Sequence, residues 1–314
     1  MCVCYIVFIK NNTNTNISAN SDKGTFFQAQ WNEAFKQDPD IVFIDGWNEW
    51  IGYKIDYYGQ IVFVDAFTKE FSRDIEPMKG GHNDNYYWQM IANIRRYKGA
   101  PPLPEPSEPA SIRIAGSFAQ WKNVSPEFHD HTGETIPRDF DGASGLRYTN
   151  RTGRNDIVAA KVARDTKNVY FYVRTREPIT RRTDPNWMWL LIDADQDART
   201  GWEGCDFIAN RSIDTDGTSW LEKNDGGWKW TKVAKISLRA DGRELHAAIP
   251  RSALALPAGE TDLSIDFKWA DNLQRPGDAM DFYLSGDVAP EGRFMYRYST
   301  RRPARVAGQP SAAS

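Results

Sequence analysis

The stretch "GAPPLPEPSEPA", residues 99–110, holds five prolines in twelve positions and divides the chain. Proline fixes φ and lacks a backbone donor, so such a run stays extended, enters neither helix nor central strand, and packs poorly. It reads as an interdomain linker, and the 314 residues suffice for a packed core on each side of it. The two sides differ in texture. Before the linker, "FFQAQWNEAFKQ" and "NDNYYWQMIANIRRYKG" have apolar residues at helical spacing, whereas "DIVFIDGW" and "QIVFVDAF" are continuous apolar runs. The order helix, strand, strand, helix, with strands apolar on both faces, predicts a parallel sheet covered by helices. After the linker, roughly nine or ten short alternating segments are separated by turns such as "RDTKN" and "RADGR", which predicts an antiparallel β-sandwich.

Charge excludes one class of partner. There are 39 basic and 42 acidic residues, and no Lys/Arg block forms the footprint that nucleic acid requires. The opening "MCVCYIVFIK" lacks the flanks of a signal peptide and is too short to span a bilayer, so residues 1–19 stay unassigned and no membrane partner is expected. Cys2, Cys4 and Cys205 make neither a disulfide framework nor a zinc pattern. Twelve Trp and thirteen Tyr supply flat faces suited to sugar rings as well as to cores.

The run "DPDIVFIDGWNEWIGYK" delivers Trp47, Asn48, Glu49 and Trp50 at the exit of its predicted strand. Glycoside hydrolysis needs two carboxyl groups across the scissile bond. Glu49 is the first candidate, with Asp45 on the same side of the strand by the period of two and Asp65 at the end of the next strand. Trp47, Asn48 and Trp50 are candidate sugar contacts, as are Arg73 and His82 in "SRDIEPMKGGH", although an Arg beside an Asp, as Arg73 is beside Asp74, is more often a loop-fixing ion pair. Residues 20–98 resemble the C-terminal end of a (β/α)8 glycosidase-like barrel, locally the endo-mannanase and endo-mannosidase group with its "NEWHEG" signature. That group uses two Glu three residues apart; only Glu49 carries over, because Gly52 occupies the second position. A full barrel takes about 250 residues, so two or three units at most fit before the linker. The resemblance implies a barrel remnant of a longer glycan-degrading enzyme, secreted or periplasmic, the fragment itself being inactive. The alternative is a free-standing α/β domain that hides its own strand edges.

In "WLLIDADQDARTGWEGCDF", Asp193, Asp195 and Asp197 alternate as oxygen ligands do in calcium loops, and Asp206 is placed to close the shell. It is not an EF-hand, since Ala198 and Gly204 stand where Gly and Glu are needed. The competing reading is an Asp-rich strand exit whose carboxylates cap the following turn. In "GGWKW", Trp228 and Trp230 fall on one strand face and form a candidate sugar platform; Trp202 and Trp220 are further candidates, while "NWMWLL" assigns Trp187 and Trp189 to packing. Residues 111–300 resemble the carbohydrate-binding modules of family 9 and the wider fold shared with DOMON domains, which implies binding of an oligosaccharide or polysaccharide. Some DOMON domains bind haem, but a lone His246 in "ELHAAIP" is more simply a satisfied strand residue. The expected whole is an α/β partial (β/α) barrel remnant over 20–98, a linker over 99–110, an all-β antiparallel sandwich over 111–300, and a disordered tail over 301–314. A non-catalytic structural or surface-attachment module without sugar affinity is the alternative.

Overall fold

The computed structural model describes residues 21–301 except 51, 53, 58, 64–72, 79–80, 143–144 and 258. The chain forms two compact units, Met1–Pro102 and Leu103–Ser314.

In the first unit the two helices form where the apolar spacing places them, α1 over Thr25–Gln37 and α2 over Asn85–Lys98. Phe27, Trp31, Ile75 and Tyr86 make the core between them. Gln28 and Asn93 exchange amide hydrogen bonds of 3.1 and 3.0 Å, which satisfies the buried Asn93 side chain. The predicted strand "DIVFIDGW" does not form. Val42 and Ile44 pack against the helix core while Ile41 and Phe43 stand 83% and 87% exposed. The run therefore keeps the period of an extended chain with one face covered, and among the described residues it pairs with no strand. β1 (Lys54–Tyr57) and β2 (Gln60–Phe63) are antiparallel, a hairpin in which Gly59 donates its N–H to Asp56. These findings overturn the barrel-remnant expectation: every strand pair among the described residues is antiparallel, and the two helices flank no parallel sheet. An apolar run of this kind indicates burial only when a second layer exists to provide it, and among the described residues none covers Ile41 and Phe43.

Among its described residues the second unit is all β in its regular structure, apart from short 3₁₀ turns. Its strands are β3 (Glu127–His129), β4 (Arg138–Asp141), β5 (Arg147–Asn150), β6 (Ile157–Arg164), β7 (Asn168–Thr175), β8 (Trp189–Asp193), β9 (Phe207–Ile213), β10 (Ser219–Asn224), β11 (Trp230–Asp241), β12 (Glu244–Pro250), β13 (Ser264–Asp271), β14 (Asp287–Ala289) and β15 (Tyr296–Ser299). β4 and β5 make a separate hairpin. The others form one antiparallel sheet in the order β14-β13-β8-β9-β10-β11-β12-β7-β6-β3, with β15 also on β13. The sheet curls until its ends nearly meet, giving a sandwich or barrel-like fold. Ile157 at the start of β6 donates its N–H to Asp287 of β14 at 2.7 Å, and Phe128 of β3 packs on Tyr296 of β15 at 5.0 Å.

Alternate residues of each central strand serve different cores. Leu190 and Ile192 of β8 face the main core with Phe171, Phe207 and Phe267, while Trp189 and Leu191 face a second cluster with Ile208 and Phe282. Tyr170 and Tyr172 of β7 likewise meet Phe118 and Trp121. Both faces of these strands are covered, and for that reason "WMWLLI" is apolar throughout. His246 of β12 is fully buried; Nδ1 accepts from the Trp121 indole at 3.1 Å, and Nε2 lies 2.8 Å from the Ile114 carbonyl. It is a satisfied core residue.

Candidate functional site

The pairing of β8 with β9 builds the acidic loop. Ile192 lies opposite Phe207, so Asp193, the last residue of β8, and Asp206, immediately before β9, meet at the mouth of residues 194–206. The Asp206 N–H donates to the Ile192 carbonyl at 2.9 Å, and Trp202 and Cys205 exchange backbone hydrogen bonds of 2.9 Å across the loop. Gly201, at φ 65°, is required there: a Cβ would stand 2.1 Å from the Cys205 carbonyl oxygen.

Asp193, Asp195 and Asp206 each present a carboxylate oxygen within 4.8 Å of the others. Oxygens bound to one calcium at about 2.4 Å are at most about 5 Å apart, so this spacing fits a shared cation. The Thr200 hydroxyl is 3.1 Å from Asp195 and 3.2 Å from Asp206. Backbone N–H groups of Gln196, Asp197 and Ala194 hold Asp193, Asp195 and Asp206 respectively. Asp197, the fourth expected ligand, is not in the group. It turns outward to the Arg199 guanidinium and accepts the Arg199 N–H. Three of the four carboxylates thus converge, while Asp197 only caps the turn.

Burial, reinforced by the charges of Asp266, Asp206 and Asp195, pushes the Asp193 carboxyl up to about 7. Asp266 is itself neutralised by a two-pronged contact with Arg297. A hard cation suits this all-oxygen donor set, and it would reverse the upward shift of Asp193.

The same loop carries Trp202, which packs edge-on against Trp228 at 4.4 Å. Trp228 also meets Trp189 at 5.7 Å and Trp230 at 5.4 Å. Trp189 and Trp202 are buried; Trp228 and Trp230 are half-buried. The planes of Trp228 and Trp230 lie at 84°, so they form a corner and not the flat platform expected from their spacing. The strand begins only at Trp230, leaving Trp228 in the preceding turn, where the period of two does not apply. Trp220 on β10 lies outside this cluster, with the Lys232 and Lys235 ammonium groups 4.9 and 5.4 Å from its ring centre.

In the first unit, Asp45 and Glu49 are exposed on the irregular segment, and Asp45 accepts the Gly46 N–H. Trp47 and Trp50 are also exposed. Asn48 donates to Glu76, and Gly52 donates to the Glu49 carbonyl. Arg73 and His82 are buried, so they present no surface to a sugar. Asp65 lies outside the described residues.

A second acidic group was not foreseen. Asp130, Asp287 and Glu291 lie near the buried Lys268 of β13, with Glu134 and Asp156 beside these acids. Burial, with the neighbouring carboxylates, pushes Asp130 up to about 7 and raises Glu134 and Asp287. Burial also pulls Lys268 down to about 7. These acids come from three parts of the chain, Asp130 and Glu134 after β3, Asp156 before β6, and Asp287 and Glu291 at and after β14. The single hint was a lysine inside the apolar strand "LSIDFKWAD".

Comparison of the chain with models of known protein families, with curated proteins and with solved structures finds no match.

Proposed function

We propose that the second unit is a non-catalytic carbohydrate-binding β unit whose 193–206 loop is organised by calcium. The observation that supports this is the joint placement of three converging carboxylates and Trp202 on one loop, with Trp202 buttressing half-buried Trp228. Calcium would fix the loop, the loop would fix Trp202, and Trp202 would set the Trp228–Trp230 corner. The sugar stacks on the exposed parts of that corner.

The direct test is calorimetric titration of the full chain with soluble oligosaccharides in calcium. Trp230→Ala is expected to cost about 1 to 3 kcal/mol of binding free energy, as loss of an aromatic anchor does. The calcium-induced rise in melting temperature is expected to persist in that variant. Unchanged affinity in Trp230→Ala would move the sugar contact elsewhere. Absence of binding to every oligosaccharide tried would favour the alternative of a packing or attachment unit, which the tie of Trp228 to the buried second cluster supports.

Calcium affinity is expected to rise with pH. The folded-state value of Asp193 lies near 7, above the ordinary aspartate value, so without calcium the native state holds a proton that the unfolded chain has released. That proton stabilises the metal-free fold at low pH, and the benefit is lost as pH climbs through about 7. Calcium must displace the proton, so its dissociation constant should fall between pH 5.5 and 7.5 and level off above. A flat profile across that window would remove Asp193 from the ligand set.

A further inference from the structure

The hairpin of β4 and β5 is two-faced. Its register sets Phe140 opposite Tyr148 and Arg138 opposite Asn150, with Asp139 opposite Thr149 and Asp141 opposite Arg147. Directly opposed residues share a face and successive ones alternate, so the aromatic pair stands on one side of the hairpin and Asp139, Asp141 and Arg147 on the other. The charged side is closed within itself: Arg147 donates to both Asp139 and Asp141, and Arg151 lies 3.5 Å from Asp139. The aromatic side is uncovered. Phe140 and Tyr148 are 63% and 61% exposed, and Ile136 and Leu146, just before the two strands, are 67% and 61% exposed. The Tyr148 ring lies against Gly142, where a Cβ would run into it.

Among the described residues β4 and β5 pair only with each other, and a two-stranded hairpin on its own is marginally stable in water. Its apolar side continues onto the rest of the unit. Ile136, Arg138 and Asn150 line an open cleft with Leu284 and Glu291, and Asn150 donates to the Leu284 carbonyl at 2.7 Å. Leu284 is itself 40% exposed. At about 150 to 250 Å² for a whole aromatic side chain, the exposed shares of these five apolar residues come to roughly 500 Å², so two such faces in contact approach the total of about 1,000 Å² that a specific interface needs. The charges on this surface complement one another. Among the described residues neither Arg138 nor Glu291 makes a side-chain hydrogen bond or ion pair, although both line the same cleft. A surface that carries one unpaired charge of each sign is complementary to a copy of itself turned by half a rotation.

We propose that two copies of this chain pair about a two-fold axis through this face, hairpin against hairpin, with Arg138 of each copy meeting Glu291 of the other. The pairing is independent of the tryptophan corner and of calcium.

Sedimentation velocity on the full chain over a range of concentrations is the measurement, and the parent is expected to show a reversible equilibrium between monomer and dimer. Phe140→Asp is expected to raise the dissociation constant at least about ten-fold, as loss of a central aromatic anchor does, without altering the circular dichroism. Arg138→Glu and Glu291→Lys are each expected to weaken the dimer about ten-fold or more, because each sets like charges opposite one another twice. Mixed together, those two variants are expected to associate again, since one copy then offers two acids and the other two bases. A change that merely disturbed the fold would give no such recovery. The proposal is overturned if the parent is monomeric at every concentration, if Phe140→Asp dimerises as the parent does, or if the mixture stays monomeric. A monomeric parent whose affinity for an oligosaccharide falls in Phe140→Asp would assign the face to a sugar and overturn it equally.

Discussion

Calcium at a hundred-fold excess over its dissociation constant is expected to raise the melting temperature of the β unit by roughly 5 to 10 °C. A ligand that binds only the folded state adds about 2.7 kcal/mol at that excess, and each kcal/mol shifts a domain of this size by about 2 to 4 °C. The structure sharpens the test beyond a simple metal titration. Asp195→Ala removes an exposed member of the converging set and is expected to abolish most of the shift. Asp197→Ala removes a carboxylate that is turned to Arg199 and is expected to leave the shift intact. Differential scanning fluorimetry on the three proteins, with and without EDTA, reads the contrast. Equal responses from Asp195→Ala and the parent would mean that calcium, if bound at all, sits elsewhere.

The convergence of the loop's carboxylates was legible because they are local. Asp193, Asp195 and Asp206 lie within fourteen positions, and the strand pairing that joins their ends follows from two apolar runs separated by a polar turn. Spacing did not reveal that Asp197 would be captured by Arg199 two residues on. The meeting of Glu134 with Asp287 was illegible for the opposite reason. The two acids are more than 150 positions apart, and they meet only because the sheet curls until β14 reaches β6.

The error in the first unit has a specific physical origin. Ile41, Val42, Phe43 and Ile44 satisfy the composition of a two-sided buried strand, but side chains in an extended segment alternate, and a run apolar on both sides does not say which sides are covered. Only Val42 and Ile44 found a helix surface. In the second unit the same ambiguity resolved the other way: the apolar run through β8 is covered on both faces even though its partners are antiparallel. Apolar continuity reports coverage at most, and strand direction must come from the connections. The tryptophans show a related limit. Trp228 and Trp230 have the spacing of a shared face, yet the ring of Trp228 is set by contacts with Trp189 and Trp202, which come from elsewhere in the sequence.

The largest loss of stability is expected from Arg154→Ala. Asp271, the last residue of β13, is fully buried, and Arg154 donates to it through Nε at 2.8 Å while its other nitrogens reach Asp184 and the Asn186 carbonyl. The same carboxyl accepts Asn155 Nδ2 at 3.0 Å and the Met188 N–H at 2.9 Å, so one acid ties the entry to β6 and the entry to β8 to the end of β13. Burial raises the Asp271 carboxyl even with Arg154 in place. Without the guanidinium, an ionised group would remain in the interior with only neutral donors, a loss of about 3 to 5 kcal/mol and a fall in melting temperature on the order of 10 °C. Two features separate this cause from lost packing. Adding Asp271→Asn to Arg154→Ala is expected to recover part of the loss, because asparagine carries no charge and still offers an oxygen to the Met188 N–H. The deficit of Arg154→Ala should also shrink as pH falls from 8 to 5, since protonating Asp271 removes the uncompensated charge. Urea unfolding of the parent, both single variants and the double variant provides the cycle. If the double variant is as unstable as Arg154→Ala and the deficit is the same at both pH values, Arg154 acts through its packing and not through its charge.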